Sequence, residues 1–401
     1  LKPLVLELYP ECNKGSEKKK EERVRQAIAE KTYLGIASEY VHRIGYHEAI
    51  DLHIESVMPY LKRRDDDGYD LMINEKIVDH NPSLECHRKL LSLNAKHIFT
   101  FNYDNALEIL ANVDASSQLW EQQVCADNKA HAYTDLLTAY KLAYATLNES
   151  VRCHQDKSDI GESDSNDEKI DFSRINAIVD KIDLGLDYFC DSTSDIQALY
   201  QQHLEIVNRE IERQKNRIRQ AKEQRMSLYQ LITNSYQISL TDECKNIYKL
   251  HGNLRTKPDD KYEFDGDKHM QYVITQEDYD TYPQKHEAFV NLMRISLLKG
   301  SFCLIGFSCD DPNFMGWINW VKDILDDSNS RLGTQSRFIY YINADDKHLP
   351  ASKELLLKNH YIKVIDLREC FPDAGTQHNR ILKFLDYLSV DKNKSSVYNE
   401  C

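Results

Sequence analysis

Several absences from this 401-residue sequence narrow the class of protein. Its ten cysteines never occur as Cys-x-x-Cys, so the spacing of a zinc ribbon is missing, and we expect reduced thiols in the cytoplasm. No apolar run approaches the roughly 20 residues that span a bilayer, and no signal peptide is visible. The net charge of −14 argues against broad, unspecific nucleic-acid binding, which requires a basic surface.

Glycine is scarce and dispersed as well. None of the thirteen glycines forms a Gly-x-Gly pair, so no stretch of this sequence predicts a glycine-rich loop that cradles phosphates. The charged residues make up 29% and the hydrophobic ones 41%, which is typical of a globular protein with exposed helices. The length allows two or three domains.

Three short apolar runs each end in a polar cluster. The first ends at Asn102 and leads through Asp104 into a helical pattern; its structural alternative is a turn at Asn102 with Asp104 capping the helix. The second ends in His251-Gly252 and the third begins its cluster at Gly306. Ligands of open α/β sheets bind at the carboxyl ends of strands, so these three clusters predict a composite nucleotide site.

The order of these motifs resembles the sirtuin-like family. The resemblance rests on Thr100-x-Asn102-Tyr103-Asp104, Lys249-x-His251-Gly252, Val273-Ile274-Thr275-Gln276-Glu277-Asp278-Tyr279 and Gly306-x-Ser308-x-x-Asp311-Pro312-Asn313. It covers roughly residues 30–110 and 245–370, and it is closest to the bacterial branch that destroys NAD in anti-phage defence. The resemblance implies NAD as the substrate and no metal.

The same resemblance implies a role for each motif residue. His251, the motif residue with an unperturbed pKa near 7, would activate a ribose hydroxyl or the attacking water. Asn102 would orient water or ribose, and Asp104 would contact the nicotinamide side or hold Asn102. The residues that the resemblance assigns to NAD binding are Thr100, Tyr103, Gly252, Gly306, Ser308, Asp311 and Asn313. The structural alternative for His251 is a core histidine in a strand–turn.

The sequence departs from the family in two places and leaves one question open. Phe101 stands where deacetylases have a glutamine, and the interval from His251 to Gly306 lacks their zinc ribbon, which counts against a deacylase. Sirtuin-like proteins also open with a strand and a glycine-rich loop. Either that loop precedes Leu1, which we favour because the first helix fits what should follow it, or the protein lacks it.

The chain predicts an α/β fold with a Rossmann-like parallel sheet, helices on both faces and a large helical insertion. We place the sirtuin-like domain at 1–111 and 243–401, with the insertion at 112–242. The apolar positions from Ala27 to Leu61 fit helical spacing, and a long helix with heptad spacing runs from Asp195 to about Leu231. That spacing predicts packing against another helix, in the same chain or in another.

Two leading hypotheses follow for function. The first is a cytoplasmic NAD glycohydrolase of an anti-phage system, which releases ADP-ribose and nicotinamide. It is held inactive until infection, and we expect a homo-oligomer, with a DNA-translocase-type ATPase or an Argonaute-type protein as the partner. The second is a non-catalytic assembly or binding subunit that kept the fold. We expect no membrane contact and no direct nucleic-acid binding.

Overall fold

A computed structural model gives the fold for most of the chain. It describes residues 2–44, 54, 58, 60–64, 69–73, 76–77, 84–93, 95–159, 170–190, 195–240, 244–254, 272–332 and 339–389. The described helices are α1 (Lys2–Leu8), α2 (Glu17–Ile44), α3 (Glu85–Ser92), α4 (Ala106–Ala111), α5 (Val113–Asp159), α6 (Ser173–Ile182), α7 (Ile196–Arg225), α8 (Gln276–Lys285), α9 (Glu287–Lys299), α10 (Pro312–Leu332), α11 (Ala351–Asn359), α12 (Leu367–Cys370) and α13 (Gln377–Ser389). The described strands are β1 (Tyr60–Arg63), β2 (Tyr69–Ile73), β3 (Lys76–Ile77), β4 (His97–Thr100), β5 (Tyr229–Ile232), β6 (Lys245–Lys249), β7 (Phe302–Ile305), β8 (Ile339–Asn343) and β9 (Ile362–Asp366).

The chain divides into two compact units. One contains Leu1–Val113 and Tyr229–Cys401, and the other contains Asp114–Leu228. The first unit is α/β and carries the described strands, which confirms the predicted fold class. The boundaries that we placed at 111/112 and 242/243 stay a prediction.

Two three-stranded parallel sheets form the centre of the α/β unit. In one, the strand order is β4-β6-β5, and Phe99 lies opposite Tyr248. In the other, the order is β7-β8-β9. The ring centroids of Phe99 in β4 and Phe302 in β7 are 5.7 Å apart. A small antiparallel sheet, β1-β2-β3, is separate from both.

The sheet that contains β6 is apolar on both faces. Neighbouring residues of a strand point to opposite faces, and two neighbours in β6 each enter a hydrophobic core. In β6, Tyr248 faces a core that includes Phe289 of α9 and Trp317 of α10. Its neighbour Ile247 faces a different core, to which Leu90 of α3 contributes. The sheet of β4, β6 and β5 is therefore covered by helices on both sides, as parallel sheets usually are.

The second unit is built from α5, α6 and α7. Its core contains Tyr140 and Leu147 of α5, Val179 of α6, and Val207 and Ile211 of α7. Three heptad positions of α7, Leu204, Val207 and Ile211, thus pack inside their own unit. None of the described helices is long and apolar enough to cross a membrane.

The structure corrects two of the predicted helices. The long helix, predicted to run to about Leu231, ends at Arg225, and Tyr229–Ile232 is strand β5 beside β6. Leu61, predicted as the end of a helix, lies in β1, opposite Leu71 of β2. In both places a short apolar run fits the spacing of a helix as well as that of a strand, and pairing with a neighbouring strand decides between them.

Candidate functional site

The turn after β4 places Asn102 at the surface and Asp104 against the next helix. The Asn102 side chain is exposed, and its backbone N–H donates to the Thr100 hydroxyl at 3.1 Å. One carboxylate oxygen of Asp104 accepts a hydrogen bond from the Ala106 N–H at 3.0 Å. Asp104 therefore stabilises the start of α4, which is the structural role that the sequence left open for it. Thr100 supports the turn from the end of β4.

His251 follows the neighbouring strand, β6, and its strand end lies beside the turn. The Leu250 N–H donates to the Thr100 carbonyl, and the Leu254 N–H donates to the Tyr103 carbonyl, both at 2.9 Å. Gly252 has a φ of 115°, in the region that favours glycine. The structure thus brings the two predicted motifs around Asn102 and His251 to adjacent strand ends.

The imidazole of His251 is held between a carboxylate and a phenol. Its Nε2 lies 3.7 Å from a carboxylate oxygen of Asp311, and its Nδ1 lies 3.4 Å from the Tyr279 hydroxyl. That hydroxyl also interacts with the Asp311 carboxylate, so the three side chains form one network. The other oxygen of Asp311 accepts from the Phe314 N–H at 2.9 Å, which fixes the carboxylate at the start of α10.

Burial dominates the electrostatics of this network. His251 is 2% exposed, and burial lowers the pKa of its imidazole to about 3, with a smaller effect from nearby His286. Burial also raises the pKa of Asp311, although hydrogen bonds from Phe314 and Tyr279 oppose that rise. At neutral pH the ring is therefore uncharged, which is the form that can accept a proton.

Aromatic side chains enclose the His251 ring. The ring centroid of Phe101 is 4.7 Å away and edge-on, and that of Tyr282 is 5.6 Å away. Phe307, from the segment after β7, stacks on Phe101 at 4.9 Å. These contacts keep water from the ring in this conformation of the protein.

The segment after β7 supplies the third strand end. Gly306 is exposed, has a φ of 63° and leaves open space where a side chain would stand. Ser308 is exposed, and its hydroxyl accepts from the Asp310 N–H at 3.3 Å. Asn313 is buried, and its side-chain N–H₂ has no hydrogen-bond partner among the described residues. This end therefore offers open backbone and an unused buried donor.

Tyr103 has a structural partner. Its hydroxyl donates to the Val273 carbonyl at 2.7 Å, and its ring packs edge-on against Tyr272. Burial raises the pKa of this phenol far above its ordinary value. The predicted NAD contact of Tyr103 stays a prediction, as do the other predicted site roles.

Sequence reasoning gave no role to Tyr279, Lys249 or Glu108. Tyr279 closes the segment Val273–Tyr279 that resembles the family, so its position in a motif was a usable signal. Lys249 opens the motif that ends in His251-Gly252, and it is 1% exposed. Glu108 lies in α4 and carried no signal of its own, since a glutamate there is ordinary.

One group of side chains elsewhere meets the distance criterion for a metal ion. Ligand atoms of His348, Asp366 and Glu369 lie within 4.8 Å of one another. The Arg368 guanidinium bonds the Asp366 carboxylate and lies 2.6 Å from Nδ1 of His348. Its bond to the carboxylate holds the pKa of Asp366 at about 2. A guanidinium therefore occupies the position between these two side chains.

Comparison with known proteins supports the resemblance. A family model described as a SIR2-like domain matches residues 200–365, a span that includes His251, Tyr279 and Asp311. No curated protein matches this chain. The match supports a sirtuin-like family, whose members use NAD as a substrate, and thus an NAD-related activity. The Asn102 motif lies outside the matched residues.

Proposed function

We propose that this protein is an NAD glycohydrolase of an anti-phage defence system. It cleaves NAD to ADP-ribose and nicotinamide and depletes NAD on infection. The observation that carries the proposal is the placement of His251, with Asp311 and Tyr279, beside the turn of Asn102. The SIR2-like match supports the substrate.

The reaction needs few groups. The bond between nicotinamide and ribose breaks, its electron pair leaves with nicotinamide, and an oxocarbenium-like carbon remains. Water attacks that carbon and releases a proton. The neutral imidazole of His251 accepts a proton from the water or from a ribose hydroxyl, and Asp311 stabilises the resulting imidazolium. The Asn102 amide orients the water or the ribose.

The burial of His251 favours regulation of this activity. With a pKa of about 3 the enclosed imidazole is a weak base. Movement of Phe101 and Phe307 would admit solvent and substrate and return the pKa of the ring toward about 6.5. We therefore take the enclosed conformation as the inactive one, and we propose that infection relieves it in a cytoplasmic homo-oligomer. A DNA-translocase-type ATPase or an Argonaute-type protein is the partner we would test first.

The same burial also favours a second candidate, a sirtuin-like subunit without catalysis. In that case NAD would bind, or a partner would assemble, with no bond broken. An enclosed histidine that never meets water would then be a core residue. The two candidates differ in whether NAD is consumed.

The test measures NAD loss in phage-infected cells and with the purified full chain. We compare wild type with Asn102→Ala and His251→Ala, and use His131→Ala as the control because that histidine is 76% exposed on α5. In infected cells we expect ADP-ribose and nicotinamide from wild type and from the control, and a fall of about 1,000-fold in both site variants. Intact NAD in infected cells that contain the wild type would reject the hydrolase and leave the binding subunit.

A further inference from the structure

A lysine is buried beneath the turn that carries Asn102. Lys249, in β6, is 1% exposed, although a lysine ammonium is costly to bury without partners. Its ammonium donates to the Asp104 carbonyl at 2.5 Å and pairs with a carboxylate oxygen of Glu108 at 2.7 Å. Lys249 is the last residue of β6 and lies two residues before His251.

Glu108 is buried to a similar degree. It is 5% exposed in α4, and burial raises the pKa of its carboxyl while the ammonium of Lys249 opposes that rise. Buried ion pairs are weak evidence of stability, because apolar side chains of similar volume often replace them without loss. Stability alone therefore does not explain the buried pair. Its ammonium also bonds the Asp104 carbonyl, so the pair connects β6 to the turn after β4.

The turn between β4 and α4 has several anchors. The Asn105 side chain exchanges two hydrogen bonds with the backbone of Leu61, at 2.8 and 3.0 Å. The Tyr103 carbonyl accepts from the Leu254 N–H. Lys249 differs from these anchors because it donates a hydrogen bond to the turn, at the Asp104 carbonyl, from the end of the strand that leads directly into His251.

We propose that Lys249, held by Glu108, is a positioning residue that fixes the Asn102–Asp104 turn relative to His251. The consequence for catalysis rests on the proposed NAD cleavage, but the consequence for the turn does not. A shift of the turn by about 1 Å would cost about 100-fold in rate. Substrate affinity would change less, since Lys249 itself is buried.

The experiment uses the full chain with three variants. Lys249→Met removes the donor, Lys249→Met/Glu108→Leu removes it without leaving a buried carboxylate, and Glu108→Gln keeps the ammonium. Arg380→Met is the matched control. Arg380 is also a buried cation, and it bonds the Ala344 carbonyl and the Asp346 carboxylate, both at 2.8 Å. The measurements are amide exchange over residues 101–106, the thermal midpoint, and kcat and KM for NAD.

We expect the double variant to unfold near the wild-type temperature but to exchange these amides about tenfold faster. Its kcat should fall about 100-fold with little change in KM. Glu108→Gln should lose less kcat than Lys249→Met; if Lys249→Met does not fold, the double variant replaces it. Slow exchange and wild-type kcat in the double variant, as in Arg380→Met, would overturn the proposal. A wild type that leaves NAD intact in infected cells would reject the proposed function, and the exchange measurement would still decide the role of Lys249.

Discussion

Each unit of the molecule buries a histidine against a tyrosine hydroxyl. In the α/β unit Tyr279 lies 3.4 Å from Nδ1 of His251, and in the helical unit Tyr140 lies 2.7 Å from Nδ1 of His203. Burial lowers the pKa of both rings. The Nε2 of each is buried with no hydrogen-bond partner among the described residues.

The two histidines differ in what else reaches the ring. His251 follows the end of a parallel strand, and the Asp311 carboxylate lies 3.7 Å from its Nε2. His203 lies inside α7, and Phe189 packs edge-on against its ring at 5.5 Å. The charge of the Asp187 carboxylate also acts on His203 and opposes the fall in its pKa, but among the described residues this carboxylate forms no ion pair with the ring.

The comparison shows that burial and a tyrosine partner do not by themselves make a candidate base. His203 has both and sits in an aromatic core, where a satisfied core histidine is the ordinary interpretation. His251 adds a carboxylate that can stabilise a positive ring, and it lies beside polar strand ends. Substitutions at the two sites test whether that difference is functional.

The largest expected effect is on the stability of the helical unit. His203→Ala leaves a cavity among aromatic rings and removes the hydrogen-bond partner of the Tyr140 hydroxyl. We therefore expect a loss of about 3 kcal/mol in the unfolding free energy of this unit. Amide exchange in α5 and α7 measures that loss. NAD cleavage per folded molecule should not change, and a slower kcat would show that the two histidines are more alike than we argue.

The exposed His131 is the control for His203. It lies on α5 of the same unit, and its replacement by alanine should change stability by less than about 0.5 kcal/mol. If both variants lost the same unfolding free energy, the introduction of alanine into a helix, and not the cavity at His203, would explain the loss.

Removal of the carboxylate from the site should have the next largest effect. Asp311→Asn keeps an acceptor for the Phe314 N–H but removes the charge, and we expect kcat to fall about 30-fold, or about 2 kcal/mol. Because burial raises the pKa of Asp311, wild-type activity should be lost as the pH falls, at a pH above the ordinary carboxyl value of about 4. The part of the acid limb that comes from Asp311 should disappear in the variant, whereas the part that comes from protonation of His251 should remain.

The neighbouring Asp310 supplies the matched control. Its side chain is 72% exposed and pairs with Lys353, so Asp310→Asn should leave kcat and the acid limb unchanged. If both asparagine variants behave alike, the effect reflects the net charge of the segment after β7 and not the contact with His251.

The strand ends of the α/β unit were predictable from local sequence. Apolar runs that stop at Asn102, His251 and Gly306 gave three strand ends, and the structure has β4, β6 and β7 there. Short buried strands with polar residues at their carboxyl ends carry this signal without help from the rest of the chain. Local sequence gave no signal for the enclosure of His251, because Phe101, Tyr279 and Phe307 come from separate segments.

Elements decided by pairing were not predictable in the same way. Tyr229–Ile232 continues the spacing of α7 without a glycine or proline break, and only its register beside β6 makes it a strand. The partner of Lys249 was equally hidden, because Glu108 lies 141 positions earlier, on a helix that local sequence places but does not orient. Tertiary contacts therefore decide both the extra strand and the buried ion pair.

The smallest expected effect separates the two tyrosines. Tyr140→Phe removes a short buried hydrogen bond and should cost about 1 kcal/mol in the helical unit, with kcat unchanged. Tyr279→Phe removes a longer contact, so the α/β unit should lose less stability, but kcat should fall because the hydroxyl orients both His251 and Asp311. Unfolding curves and steady-state rates measure the two effects. A Tyr279→Phe protein with wild-type kcat would leave Asp311 as the group that orients the ring.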